Sequence, residues 1–189
     1  MEIYLTSDHH FFHENIIKYC DRPFSSWEEM NKVMIERWNK TVGKGDIVVH
    51  LGDFSLGGPK DTVDVVNQLN GNIILIKGNH DRRTKTFWEK RAGFERYFRN
   101  DIVVSNSIIL SHRPRRIEGV INLHGHVHNN LDKYYSEGCV NLSVDVWDYY
   151  PAHLDEIEIL SKENKEDIKD LLEGIIYGTG AIINHIIRL

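Results

Sequence analysis

The 189-residue chain reads as an α/β protein with a parallel sheet in its first half and mixed pairing in its second. Three observations predict this. Short apolar runs bounded by Gly or Asp recur along the chain, as in strands buried on both faces. Stretches of helical periodicity separate the early runs, and parallel pairing needs such crossovers. The later runs stand closer together, which suits hairpins.

Ile3 to Ser7 is the first strand. Ser26 is placed to cap a helix running to Val42, with Glu29 as capping-box partner three residues on. Trp27, Met30, Val33, Met34 and Trp38 fall on one face of that helix. Gly43-Lys44-Gly45-Asp46 ends it and leads into a strand over Ile47 to Leu51. Asp61 to Leu69 makes a second helix, closed by Asn70-Gly71, and Ile73 to Lys77 a third strand. Thr84 to Arg91 is a third helix. Strands follow at Val103-Val104, Ile108 to Leu110, Val120 to Leu123 and Val140 to Val146. Residues 1–160 show no linker, repeat or low-complexity segment and form one domain. Residues 161–189 differ. After an acid- and lysine-rich opening, Leu172, Ile175, Ile182, Ile186 and Leu189 recur at helical spacing, with Thr179 in the stripe. Gly174, Gly178 and Gly180 weaken the pattern. This tail reads as an amphipathic helix, docked on the chain's own sheet or serving a homodimer, with a membrane surface as third reading.

Composition narrows the class. Hydrophobic residues at 41% and charged residues at 27% suit a soluble globular protein. A net charge of -5 argues mildly against a broad nucleic-acid face, though part of it would be neutralised by bound metal. Cys20 and Cys139 form no spacing motif and fit a reducing cytoplasm better than a disulfide scaffold. The start, Met1-Glu2-Ile3-Tyr4-Leu5, has no basic leader, and no apolar run approaches the roughly 20 residues of a membrane span.

The chemistry lies in five clusters: Asp8-His9-His10, Gly52-Asp53, Gly78-Asn79-His80-Asp81, His112, and Gly125-His126-Val127-His128. Each directly follows an apolar run, so a sheet would gather them at its carboxyl edge, where open α/β sheets place ligands. Carboxylates, imidazoles and one carboxamide suit a pair of borderline or hard divalent cations, and no thiolate joins them.

In that order and context these clusters resemble the motif set of the calcineurin-like metallophosphoesterases. The match spans residues 3 to about 157. Phe12-His13-Glu14-Asn15-Ile16-Ile17 and Asp21-Arg22-Pro23-Phe24 look like a small bacterial and phage-type branch. The resemblance implies a four-layer α-β-β-α sandwich with mixed sheets, plus the C-terminal helix. It implies Asp8, His10 and His128 on one metal, Asn79, His112 and His126 on a second, and Asp53 shared. Manganese is the first choice, with iron, zinc, nickel or magnesium as alternatives. Water acidified by the two cations would attack phosphorus in line. His80 would contact the phosphate and protonate the leaving oxygen, with Asp81 orienting its imidazole. Asn79 could also offer its amide nitrogen to a substrate oxygen.

Around the clusters, His13 could reach the substrate. His50 and His124 read as core histidines, His9 as a packing or supporting residue, and His153 and His185 as surface or tail residues. Arg22, Arg82, Arg83, Arg113, Arg115 and Arg116 are candidate phosphate partners, with Arg22 and Arg113 preferred for their neighbouring prolines. Trp147, Tyr149 and Tyr150 read as packing for the last strand. The leading function is hydrolysis of phosphodiesters, cyclic nucleotide phosphates or phosphomonoesters. A nuclease on nucleic-acid ends and a non-catalytic scaffold on the same fold are the alternatives.

Overall fold

The computed structural model describes residues 1–130 and 137–178. Two mixed sheets lie face to face, as the family resemblance implied. In the first sheet, β1 (Ile3–Thr6), β2 (Ile47–His50), β3 (Asn72–Ile76) and β4 (Arg96–Phe98) run parallel in the order β4-β3-β2-β1. A two-residue strand, Ala152–His153, adds antiparallel to β1 at the edge. The second sheet begins with β5 (Ile102–Ser105) antiparallel to β6 (Ile108–Leu110). It continues parallel through β7 (Ile121–His124) and β8 (Cys139–Asn141).

Alternation sorts the two cores. Tyr4, Val48, Ile73 and Leu75 point outward and are covered by helices. One is α2 (Trp27–Thr41), which follows the short α1 (Glu14–Tyr19). The other is α3 (Pro59–Val66). Ile3, Leu5, Ile47, Val49, Ile74 and Ile76 point inward and meet Ile108, Leu110 and Leu123 of the second sheet. The C-terminal helix α4 (Lys162–Tyr177) brings Ile168, Leu172 and Ile175 into this second cluster, beside β5. Ser161 caps it through the Asn164 amide, and Gly178 ends it at φ 68°. The tail's Thr179, Gly180, Ile182, His185, Ile186 and Leu189 lie outside the described residues. No described helix is long and apolar enough to cross a membrane.

Several boundaries shift for local reasons. Ser26 caps α2 as predicted, but the Glu29 carboxylate turns to the Ser25 amide at 2.7 Å, so the box closes one residue early. Helix α3 starts at Pro59, whose fixed φ suits a first turn, and the Asp61 carboxylate takes the Gly58 amide at 3.0 Å. The helix predicted at 84–91 is largely a π-helix, Phe87–Arg91. The run 140–146 is not one strand. The Asn141 side chain accepts the Ser143 amide at 3.1 Å, and Val144–Val146 winds into a 3-10 turn.

Trp38 is fully buried in α2 and ties it to the loop before β3 through an indole N–H bond of 2.8 Å to the Asn70 carbonyl. Trp38→Ala should cost about 3–5 kcal/mol in urea unfolding. A loss under about 1 kcal/mol would contradict this packing.

Candidate metal centre

Each cluster leaves the sheets within four residues of a strand end. Asp8 and His10 follow β1, Asp53 follows β2, and Asn79 and His80 follow β3. His112 follows β6, and His126 and His128 follow β7. Backbone bonds then sew these loops together. Asp8 N–H donates to the Gly52 carbonyl at 3.0 Å, His10 N–H to Asp53 at 3.1 Å, and Gly125 N–H to His112 at 3.0 Å. Sharp reversals turn the side chains into one pocket. Asp8, His10, Asp53, His126 and His128 have φ of 60°, 52°, 57°, 73° and 50°, a conformation that non-glycine residues adopt only under constraint. Two glycines allow the close approach. A Cβ on Gly78 would strike the Asp53 carboxylate, and one on Gly125 would strike the Ser7 hydroxyl and the Asp8 carboxylate.

Two ligand groups result. Asp8, His10 and His128 present atoms all within 4.8 Å of one another, as do Asp53, His112 and His126. Asn79 joins the second group, its Oδ1 at 2.9 Å from His112 Nε2. Asp53 stands between them. Its Oδ1 accepts the His80 N–H at 2.8 Å, while Oδ2 lies 3.5 Å from His10 Nε2 and 3.4 Å from His112 Nε2. Thus one oxygen of Asp53 faces both groups. Asp8 has the same division of labour: Oδ2 accepts the His126 N–H at 2.8 Å and the Ser7 hydroxyl. Its Oδ1, and both ring nitrogens of His10, are buried without a hydrogen-bond partner. Burying such groups bare is costly, and a cation is the partner their chemistry fits. Imidazole, carboxylate and amide oxygen together match a divalent ion of borderline or hard character.

The imidazoles are set up as ligands. Burial, with His128 next to it, holds His10 well below its ordinary pKa, and burial with His112 and Arg113 holds His126 down at about 4. Both are neutral at pH 7. His112 Nδ1 stands 2.9 Å from the Leu51 carbonyl, and His128 Nδ1 stands 2.7 Å from Asp145 Oδ2. A proton on Nδ1 in each ring turns Nε2 into the pocket. His80 lies at the rim, its side chain 34% exposed against 2% for Asp53, with Nε2 3.9 Å from Asp53 Oδ2. His13 is beside it, the two ring centres 6.2 Å apart. Arg113 is exposed at the mouth, next to Asn79 and His112.

Two expected site residues face elsewhere. The Asp81 carboxylate does not bond the His80 ring. It is fully buried and accepts N–H bonds from Gly78 and Asp53 at 2.8 Å and from Phe54 at 3.1 Å. Burial, then the Asp53 charge, pushes it up to about 6. It locks the two loops that carry Asp53 and Asn79. Arg22 is likewise consumed inside the protein. Its guanidinium pairs with Asp145 at 2.8 Å, side chains 0% and 2% exposed, and donates to the Asp8 and His9 carbonyls at 2.7 and 2.9 Å. Full occupation of its donors leaves nothing for a phosphate. Asp145 went unread in the sequence because it sits in an apolar run taken for strand. Its signal would have been that one carboxylate amid Val144 and Val146. Cys20 sits against the same pair, its thiol within 4.8 Å of His128 and Asp145 side-chain atoms.

His9, His50 and His124 fall as predicted. His9 Nδ1 and His50 Nε2 form a buried contact of 3.0 Å beneath the loops, and His124 bonds the Gly125 carbonyl. Trp147 donates to the Asn141 carbonyl, and Tyr149 packs edge-on against Phe24.

The sequence model of the calcineurin-like phosphoesterases matches residues 1–178. An uncharacterized protein of Methanocaldococcus jannaschii is 42% identical over 176 residues, covering 87% of this chain and 93% of its own. The gene 66 protein of Mycobacterium phage D29 is 26% identical, with 92% of this chain and 98% of its own aligned. Among solved structures, a protein of unknown function from Aquifex aeolicus superposes with a TM-score of 0.63 at 26% identity, covering 83% of this chain and 97% of its own.

The Arg22–Asp145–His128 chain makes a stability prediction. Burial alone would raise Asp145, but His128 and Arg22 hold it below its ordinary 3.8. Burial alone would lower His128, but Asp145 holds it above its ordinary 6.5. The Asp145 contribution is therefore complete above pH 3.8 and lost in stronger acid, and the His128 contribution is complete below pH 6.5 and lost in alkali. In chelator, Asp145→Asn should lose about 3–5 kcal/mol, because it strands a buried guanidinium. The deficit should be largest between pH 3.8 and 6.5. Urea titrations across pH measure it, and a pH-independent deficit would contradict the assignment.

Proposed function

The chain belongs to the calcineurin-like phosphoesterase family, metal-dependent hydrolases of phosphoric esters, and from this we propose that it cleaves phosphodiesters, including cyclic nucleotide phosphates, with phosphomonoesters as secondary substrates. The observation that carries the proposal is the placement of Asp53 Oδ2, within 3.5 Å of His10 Nε2 and 3.4 Å of His112 Nε2, at the meeting of two ligand groups. Asp8, His10 and His128 would hold one cation, and Asn79, His112 and His126 the other, with Asp53 common to both. Two divalent cations, manganese by preference, would supply an activated water and offset charge developing on phosphorus.

The chain's own groups do the rest. His80 is the exposed imidazole nearest Asp53, free to contact the phosphate and to protonate the leaving oxygen. Asn79 turns Oδ1 toward His112, leaving its amide N–H for a substrate oxygen. Arg113, beside Asn79 and His112, and His13, beside His80, would serve as phosphate contacts. Asp81 and Arg22 act on the backbone: they hold the loops that aim Asp53 and Asp8, and a displacement there would spread to the ligands. The grouping of His80 with the histidine and aspartate ligands expected from the sequence favours hydrolysis over the scaffold alternative.

Protein stripped with chelator should be inactive on bis(p-nitrophenyl) phosphate, and manganese should restore turnover. His80→Ala should lower kcat by about 10²–10⁴-fold with its melting curve unchanged. Asp53→Asn should lose both bound metal and turnover. Wild-type rates in the two variants would overturn the assignment, and a higher rate on p-nitrophenyl phosphate than on the diester would reverse the substrate order.

A further inference from the structure

Charge, more than shape, marks one cleft that none of these roles explains. It opens beside Asn79 and His112, so it shares a wall with the second ligand group. Its volume is about 220 Å³. Lys77, Arg99, Arg113 and Arg115 line it against the single carboxylate of Asp101. Asp101 is already bonded to Arg115 Nε at 2.7 Å. The side chains of Lys77, Arg99 and Arg113 are exposed and form no hydrogen bond or ion pair among the described residues. This gathering of cations occurs on a chain whose net charge is -5.

Three strands assemble it. Lys77 follows β3, Arg99 follows β4, and Arg113 follows β6 directly after His112. Lys77 N–H bonds the Phe98 carbonyl at 2.8 Å, which sets Lys77 and Arg99 side by side at the end of the sheet. These cations exceed the needs of the scissile group. A phosphodiester carries one negative charge, which the cations of the proposed centre, together with Arg113, would already answer. Lys77 and Arg99 line the same cleft, and a diester with neutral substituents would offer them nothing.

Resting on the phosphodiesterase reading, we infer that Lys77 and Arg99 form a subsite for a second phosphate carried by the same substrate. The substrate class is then a phosphorylated nucleotide ester rather than an isolated diester. Arginine meets such a group with paired donors, and lysine adds a mobile charge.

The test compares three thymidine dinucleotides, one bearing only the internal diester, one with an added 5′-phosphate and one with an added 3′-phosphate, with bis(p-nitrophenyl) phosphate alongside. With manganese, kcat/KM should favour one terminally phosphorylated dinucleotide over the plain one by about tenfold, mainly through KM. Lys77→Gln combined with Arg99→Gln should abolish that ratio, while Lys32→Gln on α2 should keep it. The ratio should also shrink as salt is raised. Chelator-treated protein provides a readout without turnover. Anisotropy of a labelled, phosphorylated dinucleotide should show binding that the double variant weakens about tenfold. Equal kcat/KM for all three dinucleotides, or no turnover of any while the aryl diester is cleaved, would overturn the subsite. If no substrate is cleaved, the phosphodiesterase reading fails. The anisotropy then decides the subsite alone: equal binding by wild type and double variant refutes it.

Discussion

Two carboxylates buried within one pocket are the constraint on which the rest of this structure depends. Asp8 and Asp53 each spend one oxygen on a backbone N–H, from His126 and His80, and turn the other inward. Those amide bonds fix the carboxylates in place, and the one from His126 does so across the sheet sandwich. His126 belongs to the second sheet's loops while Asp8 belongs to the first. The bond between them therefore couples the relative position of the two sheets to the geometry of the pocket. Like charges buried so close repel, and the seven candidate ligands are arranged such that cations would relieve them.

The loops that deliver these groups are strained, and the surrounding buried polar groups hold them there. Left-handed backbone at five ligand positions costs of order 1–3 kcal/mol each. Asp81 restrains three amides at once, and Arg22 restrains the carbonyls of Asp8 and His9. The contact between His9 and His50 joins the same two loops from below. These groups lie behind the ligands and none is open to solvent. Strain and clamp together make a pocket whose shape is set before anything enters it, which lowers the reorganisation that binding would otherwise require.

Much of this could be read from the chain. The ligand types, their order and their position after apolar runs are local properties, so Asp8, His10, Asp53, Asn79, His112, His126 and His128 were legible and do converge. So were α2 and the principal strands, whose periodicity is long enough to average out exceptions. What failed was relational. Arg22 beside a proline looks like a phosphate ligand until Asp145, 123 positions away, is seen against it. Asp81 follows His80 in sequence, yet the side chains diverge and the carboxylate turns back to the backbone. Neither partner leaves a mark within a window of neighbouring residues. Arg96–Phe98 and Ala152–His153 were missed because such short strands carry too few residues for a period to register.

Net charge shows the same limit from another side. An acidic balance argues against polyanionic ligands only if charge is spread evenly, and here it is not. Exposed acids such as Glu163, Glu166 and Asp170 gather on the C-terminal helix, which packs beside β5 and the inter-sheet core. Lys77, Arg99 and Arg113 gather where three strands end beside Asn79 and His112. Within a Debye length of about 8–10 Å, a phosphate entering the cleft responds to those nearby cations, and charges farther off are screened. Composition sums over the whole surface, whereas a ligand samples one part of it. The sign of the cleft follows from which residues the sheet places at its edge, and the mean charge of the chain does not determine it.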